Sequence, residues 1–149
     1  MQQLNLPAYP FKIKSENGRK QIFDEIRDKF VTLTPEEWVR QNFAKYLIYE
    51  KNYPKGLIVI EASLSYNTLI KRSDIVAYNR LGKPTLIVEC KAPGIKLNQK
   101  VFDQAAMYNL ILEVGHIIIT NGVSHYCCTI NKEKSKFEFV KEIPNYKKD

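Results

Sequence analysis

Residues 72–92, RSDIVAYNRLGKPTLIVECKA, predict two β-strands joined by a tight turn at Leu81-Gly82. The second strand contains the run Thr85–Val88, which is almost entirely apolar and leads directly into Glu89. A run of this kind, bounded by turn signals, is typical of a strand buried in a sheet. Because charged side chains are rarely buried without partners, the carboxylate at the end of the run requires an explanation.

The register of this hairpin determines what lies beside Glu89. If the turn is symmetric, Arg80 pairs with Lys83, and counting back along the two strands places Asp74 opposite Glu89. Directly opposed residues of an antiparallel pair point to the same face, with Cβ atoms about 4.5–5.5 Å apart. Lys91 lies two residues beyond Glu89 and therefore shares that face. The sequence predicts that these three ionisable groups converge at one end of a sheet, provided that no one-residue bulge shifts the register.

This charge cluster has two interpretations. Two carboxylates held this close repel each other unless a positive charge lies between them, and Mg²⁺ can supply that charge, because it takes one or two carboxylates together with waters and phosphate oxygens. Such an ion can lower the pKa of a bound water and stabilise charge on a phosphodiester, while Lys91 holds the attacking water or neutralises the phosphorus centre. The alternative is an ordinary salt-bridge cluster at the rim of the sheet. The apolar lead-in favours charges at the mouth of a buried strand, where they need partners.

Residues 33–51, LTPEEWVRQNFAKYLIYEK, predict the clearest helix. Thr34 can cap its N-terminus, Pro35 suits the first turn, and Glu37 stands three residues after Thr34 in a capping-box arrangement. On a helical wheel, Glu36 and Arg40 fall beside the apolar face and Glu37 lies further round. That face is a buried stripe of residues at helical spacing: Val39, Phe43, Tyr46 and Leu47.

A second helix is predicted in residues 97–115, LNQKVFDQAAMYNLILEVG, with Asn98 as its cap and Gly115 as its stop. Gln104 and Tyr108 are four residues apart and share a face of this helix. Either both side chains reach back towards the charge cluster, or Tyr108 faces the core beside a boundary glutamine.

The remaining segments complete an α/β (α+β-like) fold. Residues 18–31, GRKQIFDEIRDKFV, predict a short helix with Ile22, Phe23, Ile26 and Phe30 on its inner side. Strands are expected at 56–64, in the hairpin, and in three segments after the second helix. The order α-β-β-β-α-β-β-β predicts a mixed β-sheet flanked by helices. The chain is interpreted as one domain, 1–149, in which residues 1–33 form an arm and a short helix packed on the core and residues 143–149 form a basic tail.

Composition bounds the function classes. Lys and Arg total 23 against 16 Asp and Glu, and the resulting charge of +7 favours a polyanionic partner such as nucleic acid, although many basic proteins bind none. The three cysteines include an adjacent pair and no CxxC, which argues against a disulfide framework and against a zinc site. Because no apolar run approaches membrane-spanning length and no signal peptide is visible, we expect a cytoplasmic protein without membrane contact.

The motifs resemble those of a nuclease superfamily. Asp74 followed by Glu89-Cys90-Lys91 resembles the PD-(D/E)xK motif, with a serine in the place of the proline. The pattern Gln104-xxx-Tyr108 is similar to the QxxxY element of the RecB-like branch. LTPEEWVRQ resembles the first-helix motif of the N-terminal nuclease domain in type I restriction enzyme R subunits, in particular of small stand-alone bacterial proteins with this domain. The resemblance covers most of the chain, roughly residues 22–128, and implies a restriction-endonuclease-like mixed β-sheet flanked by helices.

The resemblance implies roles for the hairpin residues. Asp74 and Glu89 would ligate a divalent metal, Mg²⁺ or Mn²⁺, with the backbone carbonyl of Cys90 as a further ligand. Lys91 would be the catalytic lysine. If the protein is a nuclease, the basic residues Lys71 and Arg72, just before Asp74, would be placed to meet DNA phosphates. For either residue taken alone, a solvated position at the rim is the favoured interpretation.

The resemblance also implies roles for helix residues. Gln104 would orient the site or contact the substrate backbone, with Tyr108 supporting it. The acid that the family carries on its first helix falls at Glu36-Glu37. Glu36 is preferred, because it lies beside Arg40 and the buried stripe, whereas Glu37 has the capping box as an alternative role. Arg40 would support the site or contact DNA.

Together these features predict a metal-dependent DNA endonuclease, or a restriction-type nuclease domain, that hydrolyses phosphodiester bonds. One alternative is a catalytically inactive nucleic-acid- or partner-binding module on the same fold, and another is a structural protein with a salt-bridge network. Because the sequence contains no GxxxxGK[ST] phosphate loop for a motor, the expected partners are DNA and a separate motor, specificity or methyltransferase subunit. Cutting both strands of a duplex would require a homodimer or two sequential nicks.

Overall fold

The computed structural model describes residues 1–131 and 136–147, and it describes the backbone alone at 66, 69, 106–112, 130, 131, 136 and 137. From the first helix onward, the elements follow the predicted order. A single 3₁₀ turn, Lys55–Leu57, precedes β4. The helices and strands are β1 (Ile13–Glu16), β2 (Arg19–Asp24), β3 (Lys29–Thr32), α1 (Pro35–Tyr49), β4 (Ile58–Tyr66), β5 (Leu69–Tyr78), β6 (Pro84–Cys90), α2 (Gln99–Leu112), β7 (His116–Thr120), β8 (His125–Asn131) and β9 (Lys136–Val140).

The main sheet has six strands in the order β4-β5-β6-β7-β8-β9. β6 and β7 are parallel, and every other neighbouring pair is antiparallel. Parallel neighbours require a crossover connection, and α2 lies in the chain between these two strands. The predicted mixed sheet with helices is confirmed.

Each face of the main sheet has its own apolar core. On one face, which we call the α1 side, Phe43 and Leu47 of α1 pack with Ile75, Val88 and other strand residues. On the opposite face, the α2 side, Ala105 of α2 packs with a second set: Val76, Ile87, Ile117 and Ile119. The middle strands are therefore buried on both faces, which explains the nearly continuous apolar run in β6.

The predicted helix in residues 18–31 is wrong, because this segment contributes to a three-stranded antiparallel sheet, β1-β2-β3. Asn17 and Gly18 both have positive φ, 53° and 76°, and form the tight turn between β1 and β2 that an Asn-Gly pair favours. Of the expected inner residues, Ile22 is fully buried, while Phe23 and Phe30 form a cross-strand ring pair with centroids 5.2 Å apart. The side chains of this segment therefore alternate with the two-residue period of a strand and not with the 3.6-residue period of a helix.

The chain before β1 runs along the main body. Asn5 N donates a 2.8 Å hydrogen bond to Gly122 O, and Asn5 O lies 2.8 Å from Nε2 of His125. Leu4 is buried against Val39 in the α1-side core. Among the described residues, no helix is long and apolar enough to cross a bilayer.

Candidate active site

The β5–β6 turn contains an irregularity that the sequence did not predict. Asn79 N donates a 2.8 Å hydrogen bond to Lys83 O, and Asn79 Oδ1 accepts one from Lys83 N. The predicted pairing of Arg80 with Lys83 is therefore wrong. A shift in register between Ala77 and Tyr78 compensates for the offset, so the rest of the hairpin has the predicted pairing.

Beyond this bulge the strands follow the predicted register up to the charge cluster. Ile75 pairs with Val88, and the next residues along the two strands are Asp74 and Glu89. Cys90 N donates a 2.8 Å hydrogen bond to Oδ2 of Asp74, which fixes that side chain against β6. The structure thus brings the two predicted carboxylates to the same end of the hairpin.

The β4–β5 hairpin changes face at this place. On β4, Ile60 packs on the α1 side and Ala62 on the α2 side. Glu61, between them, has a φ of +55°, a left-handed conformation that is uncommon for a residue other than glycine. Asp74 lies at the matching position of β5, between the partners of Ile60 and Ala62. Because it stands where the hairpin changes face, Asp74 can contact both β6 and α1.

Arg40 of α1 is the cation that contacts Asp74. Its Nη2 lies 2.8 Å from Oδ1 of Asp74, and its Nη1 lies 2.8 Å from Oε1 of Glu37. Burial works against the charge of Arg40, but the carboxylates of Glu37 and Asp74 raise its pKa above the ordinary value. The Nε of Arg40 is buried and has no hydrogen-bond partner among the described residues.

Glu89 is the second carboxylate of the cluster. Lys71 Nζ lies 3.1 Å from Oε1 of Glu89 and forms an ion pair with this carboxylate. Burial raises the pKa of the Glu89 carboxyl, Lys71 and Lys91 oppose the shift, and Asp74 adds to it. The predicted DNA-contacting Lys71 therefore neutralises Glu89 in this structure. Arg72 is exposed and forms a 2.9 Å ion pair with Glu61.

Lys91 and Cys90 follow Glu89 at the end of β6. Lys91 N donates a 2.8 Å hydrogen bond to Thr120 O, which anchors the chain just beyond the strand. The positive charge of Lys91 lowers the pKa of the Glu89 carboxyl, against the larger effect of burial. The Cys90 side chain is buried in the α1-side core, and burial raises the pKa of its thiol well above the ordinary value. The Cys90 side chain is therefore a packing residue, and the metal contact predicted for its backbone carbonyl remains a prediction.

The two acids of α1 differ in burial. Thr34 Oγ1 accepts a 3.0 Å hydrogen bond from Glu37 N, as the predicted cap requires. The carboxylate of Glu37 is buried in ion pairs, whereas the side chain of Glu36 is 48% exposed and lies 3.6 Å from Arg40. The wheel placed Glu36 nearer the core, but it took no account of the β2–β3 turn, from which Arg27 covers Glu37.

Residues of that turn extend the ion-pair cluster and were missed by the sequence analysis. Arg27 Nη2 lies 3.1 Å from both oxygens of Glu37, and Arg27 also pairs with the buried Asp24. Gln41 Nε2 donates to Asp24 and to Glu37, each at 2.9 Å. Burial would raise the pKa of Asp24, but hydrogen bonds from Arg27 and Gln41 lower it. The local signal for this cluster was the spacing Asp24-x-x-Arg27, which is compatible with an Asx turn.

Of the two residues predicted on α2, Gln104 stands apart from these contacts. Gln104 is exposed, and the described residues show no hydrogen bond or ion pair between it and the cluster. The side chain of Tyr108 lies outside the described part of the structure. The roles predicted for both residues remain predictions.

The donor set at Asp74 and Glu89 fits Mg²⁺ or Mn²⁺. The described residues contain no group of three or more His, Cys, Asp or Glu side chains that could hold a metal. Mg²⁺ does not require such a group, since it binds through one or two carboxylates and keeps several waters. The buried Glu89 carboxylate, which pairs with Lys71, and the neighbouring Asp74 carboxylate are hard oxygen donors of this kind.

Comparison with known proteins identifies a protein family and a similar solved structure. Residues 35–144 match the family described as the type I restriction enzyme R protein N terminus. The fold is similar to the fragment structure of a protein described as an HsdR subunit of a type I restriction enzyme from Vibrio vulnificus YJ016, with a TM-score of 0.52 and 19% sequence identity. The match covers 76% of this chain and 24% of that one, so the chain spans about a quarter of its structural relative. No curated protein matches the sequence.

Proposed function

Because the chain belongs to the family of type I restriction enzyme R protein N termini, we propose that it is a metal-dependent DNA endonuclease domain that hydrolyses phosphodiester bonds. The observation that carries this proposal is that the carboxylates of Asp74 and Glu89 lie close together at the end of a buried strand, where the positive charge of Lys91 lowers the pKa of Glu89. The fold alone would not support an activity, since one fold can serve many functions.

Asp74 and Glu89 would hold Mg²⁺ or Mn²⁺, with the carbonyl of Cys90 as a further ligand. When bound, such an ion stabilises the negative charge that develops on a phosphodiester and lowers the pKa of a coordinated water. Asp74 is already oriented for this task, because Cys90 N holds its Oδ2 at 2.8 Å. The rigid apolar strand before Glu89 keeps the second carboxylate in place.

Lys91 supplies a cation next to Glu89. Its three ammonium protons can hold a water or neutralise a phosphate oxygen in the transition state. The hydrogen bond from its backbone to Thr120 keeps the residue at the mouth of the strand. Gln104 would approach the same substrate from α2.

We propose DNA as the substrate, and a separate motor, specificity or methyltransferase subunit as a partner. The net charge of +7 supports attraction to a polyanion, because each cation that neutralises a phosphate releases a bound counterion. The family's place in type I restriction enzymes supports the partner proposal.

The test is a cleavage assay on plasmid, linear and single-stranded DNA with Mg²⁺, Mn²⁺ or chelator. Wild-type protein is compared with Asp74→Ala and Lys91→Ala, and Lys83→Ala, at the exposed β5–β6 turn, serves as a lysine control. We expect cleavage that requires metal, disappears in the first two variants and persists in the control. Circular dichroism of each variant excludes loss of folding.

Other outcomes of the same assay point elsewhere. DNA binding that survives both site substitutions, without cleavage by the wild type, would identify a non-catalytic binding module. Absence of both binding and cleavage on all three substrates would refute the proposed function.

A further inference from the structure

Two arginines, Arg27 and Arg40, occupy similar settings on either side of Glu37. Arg27 Nη2 lies 3.1 Å from the Glu37 carboxylate, and Arg40 Nη1 lies 2.8 Å from it. Both arginines also pair with Glu61. They differ in that Arg27 pairs with Asp24, whereas Arg40 pairs with Asp74 and, at 3.6 Å, with the exposed Glu36. Of these two, Arg40 is the one that touches a proposed metal ligand.

Asp74 has a donor on each carboxylate oxygen. Cys90 N donates to Oδ2 and Arg40 Nη2 to Oδ1, both at 2.8 Å. A carboxylate oxygen has two lone pairs, so a hydrogen bond does not by itself prevent coordination. A divalent cation at Oδ1 would nevertheless lie a few ångströms from a buried guanidinium, and like charges at that distance repel strongly.

We propose that Arg40 sets the metal affinity of this site, as an internal counter-ion that a divalent cation must displace from Oδ1 of Asp74. The inference rests on the proposed function. Arg40 is then a positioning residue for Asp74, and its contact competes with metal.

The contacts around Arg40 are compatible with such an exchange. After displacement, Arg40 remains held by Glu37, which is buried and lies on the other side of the guanidinium. Asp74 keeps its place as well, because the Cys90 amide still holds Oδ2. The buried Nε of Arg40 lacks a partner among the described residues, so a rotation that satisfied it would offset part of the lost contact.

The experiment measures Mn²⁺ binding without DNA, by isothermal titration calorimetry and by the loss of the free-ion electron paramagnetic resonance signal. Arg40→Met is compared with wild type and with Arg27→Met, which removes the other arginine from Glu37 but leaves Asp74 untouched. We expect Arg40→Met to bind Mn²⁺ about tenfold more tightly, which corresponds to about 1.4 kcal/mol. Arg27→Met should stay within about threefold of wild type, which is well below that difference. Arg40→Lys, which retains the positive charge, should bind Mn²⁺ as weakly as wild type.

Two outcomes would overturn the inference. Unchanged or weaker Mn²⁺ binding by a folded Arg40→Met protein would show that Arg40 does not compete with metal, even if the wild type cleaves DNA. Absence of Mn²⁺ binding in every protein would remove the proposed function together with the inference. If Arg40→Met fails to fold because Glu37 is left under-compensated, the double variant Glu37→Gln/Arg40→Met is compared with Glu37→Gln, with the same expectation.

Discussion

Replacing Glu61 by glycine should destabilise the protein less than replacing it by alanine. Glu61 has a φ of +55° at the place where β4 changes from the α1 side to the α2 side. A left-handed conformation costs a residue with a Cβ atom about 1–2 kcal/mol, whereas glycine adopts it readily. Both substitutions remove the same ion pairs with Arg27, Arg40 and Arg72, so the difference between them reports on the backbone.

The size and sign of the difference follow from two opposing effects. In an ordinary strand, glycine is less stable than alanine by about 0.5–1 kcal/mol because it loses more conformational entropy on folding. Relief of the left-handed strain at residue 61 exceeds this loss. We therefore expect Glu61→Gly to be more stable than Glu61→Ala by about 0.5–1 kcal/mol, and to melt about 2–4 °C higher per kcal/mol.

Urea denaturation of four variants tests this prediction. Ser63, exposed and two residues further along β4, is not among the residues with positive φ and provides the control position. There the order should reverse, with Ser63→Ala more stable than Ser63→Gly. If alanine proved the more stable replacement at both positions, the left-handed backbone of Glu61 would not be what turns the hairpin at Asp74.

Three further predictions concern the packing of the N-terminal arm, the burial of His125 and the binding of metal. Gly82→Ala should lower the free energy of unfolding by about 1 kcal/mol, because alanine is strained at the positive φ of this residue. Gly122→Ala should lower it by about 1–3 kcal/mol more in a thermal melt, because a Cβ at residue 122 would also lie 2.7 Å from Leu4 Cδ2. Equal losses in the two variants would contradict the packing of Leu4 against Gly122. Burial lowers the pKa of His125, so below about pH 6.5 the unfolded state binds more protons than the folded state. The free energy of unfolding should therefore fall as pH drops from 7 to 5, by at most about 1.4 kcal/mol per pH unit. His125→Gln should show a shallower fall in urea denaturation at these pH values, and an unchanged slope would show that the pKa of His125 is not lowered in the folded state. Mg²⁺ at a hundred times its dissociation constant should stabilise the wild type by about 2.7 kcal/mol and leave Glu89→Gln nearly unchanged in the same thermal assay, so an equal shift in both would place the metal elsewhere.

The hairpin shows how far the sequence could predict the site. The apolar run before Glu89 correctly predicted a buried strand, and the register at Ile75–Val88 is the predicted one. That agreement results from two departures from the predicted pairing that cancel each other. The turn pairs Asn79 with Lys83, which shifts the register by one residue, and the bulge between Ala77 and Tyr78 shifts it back. Periodicity identifies strands well, but a bulge depends on local backbone geometry that the side-chain pattern does not specify.

The first third of the chain was mispredicted for a different reason. Ile22, Ile26 and Phe30 have helical spacing, yet Asn17-Gly18 is a strong hairpin signal and should have outweighed it. The error had a consequence for the site. Without the β2–β3 turn, nothing in the sequence placed Arg27 over Glu37, and the wheel therefore ranked Glu36 as the more buried acid.

The charge balance of the site connects metal with DNA. Among the described residues, the ion pairs that connect Glu37, Asp74 and Glu89 make a slightly acidic cluster within a chain of charge +7. Its members are six carboxylates and five cations: Asp24, Glu36, Glu37, Glu61, Asp74 and Glu89, with Arg27, Arg40, Lys71, Arg72 and Lys91. The cations are therefore largely balanced where the phosphodiester would have to lie, and the excess positive charge belongs to other parts of the chain. A bound divalent cation would reverse the sign of the cluster. Attraction of a scissile phosphate to Asp74 and Glu89 is thus expected to depend on metal, whereas general attraction to DNA is not.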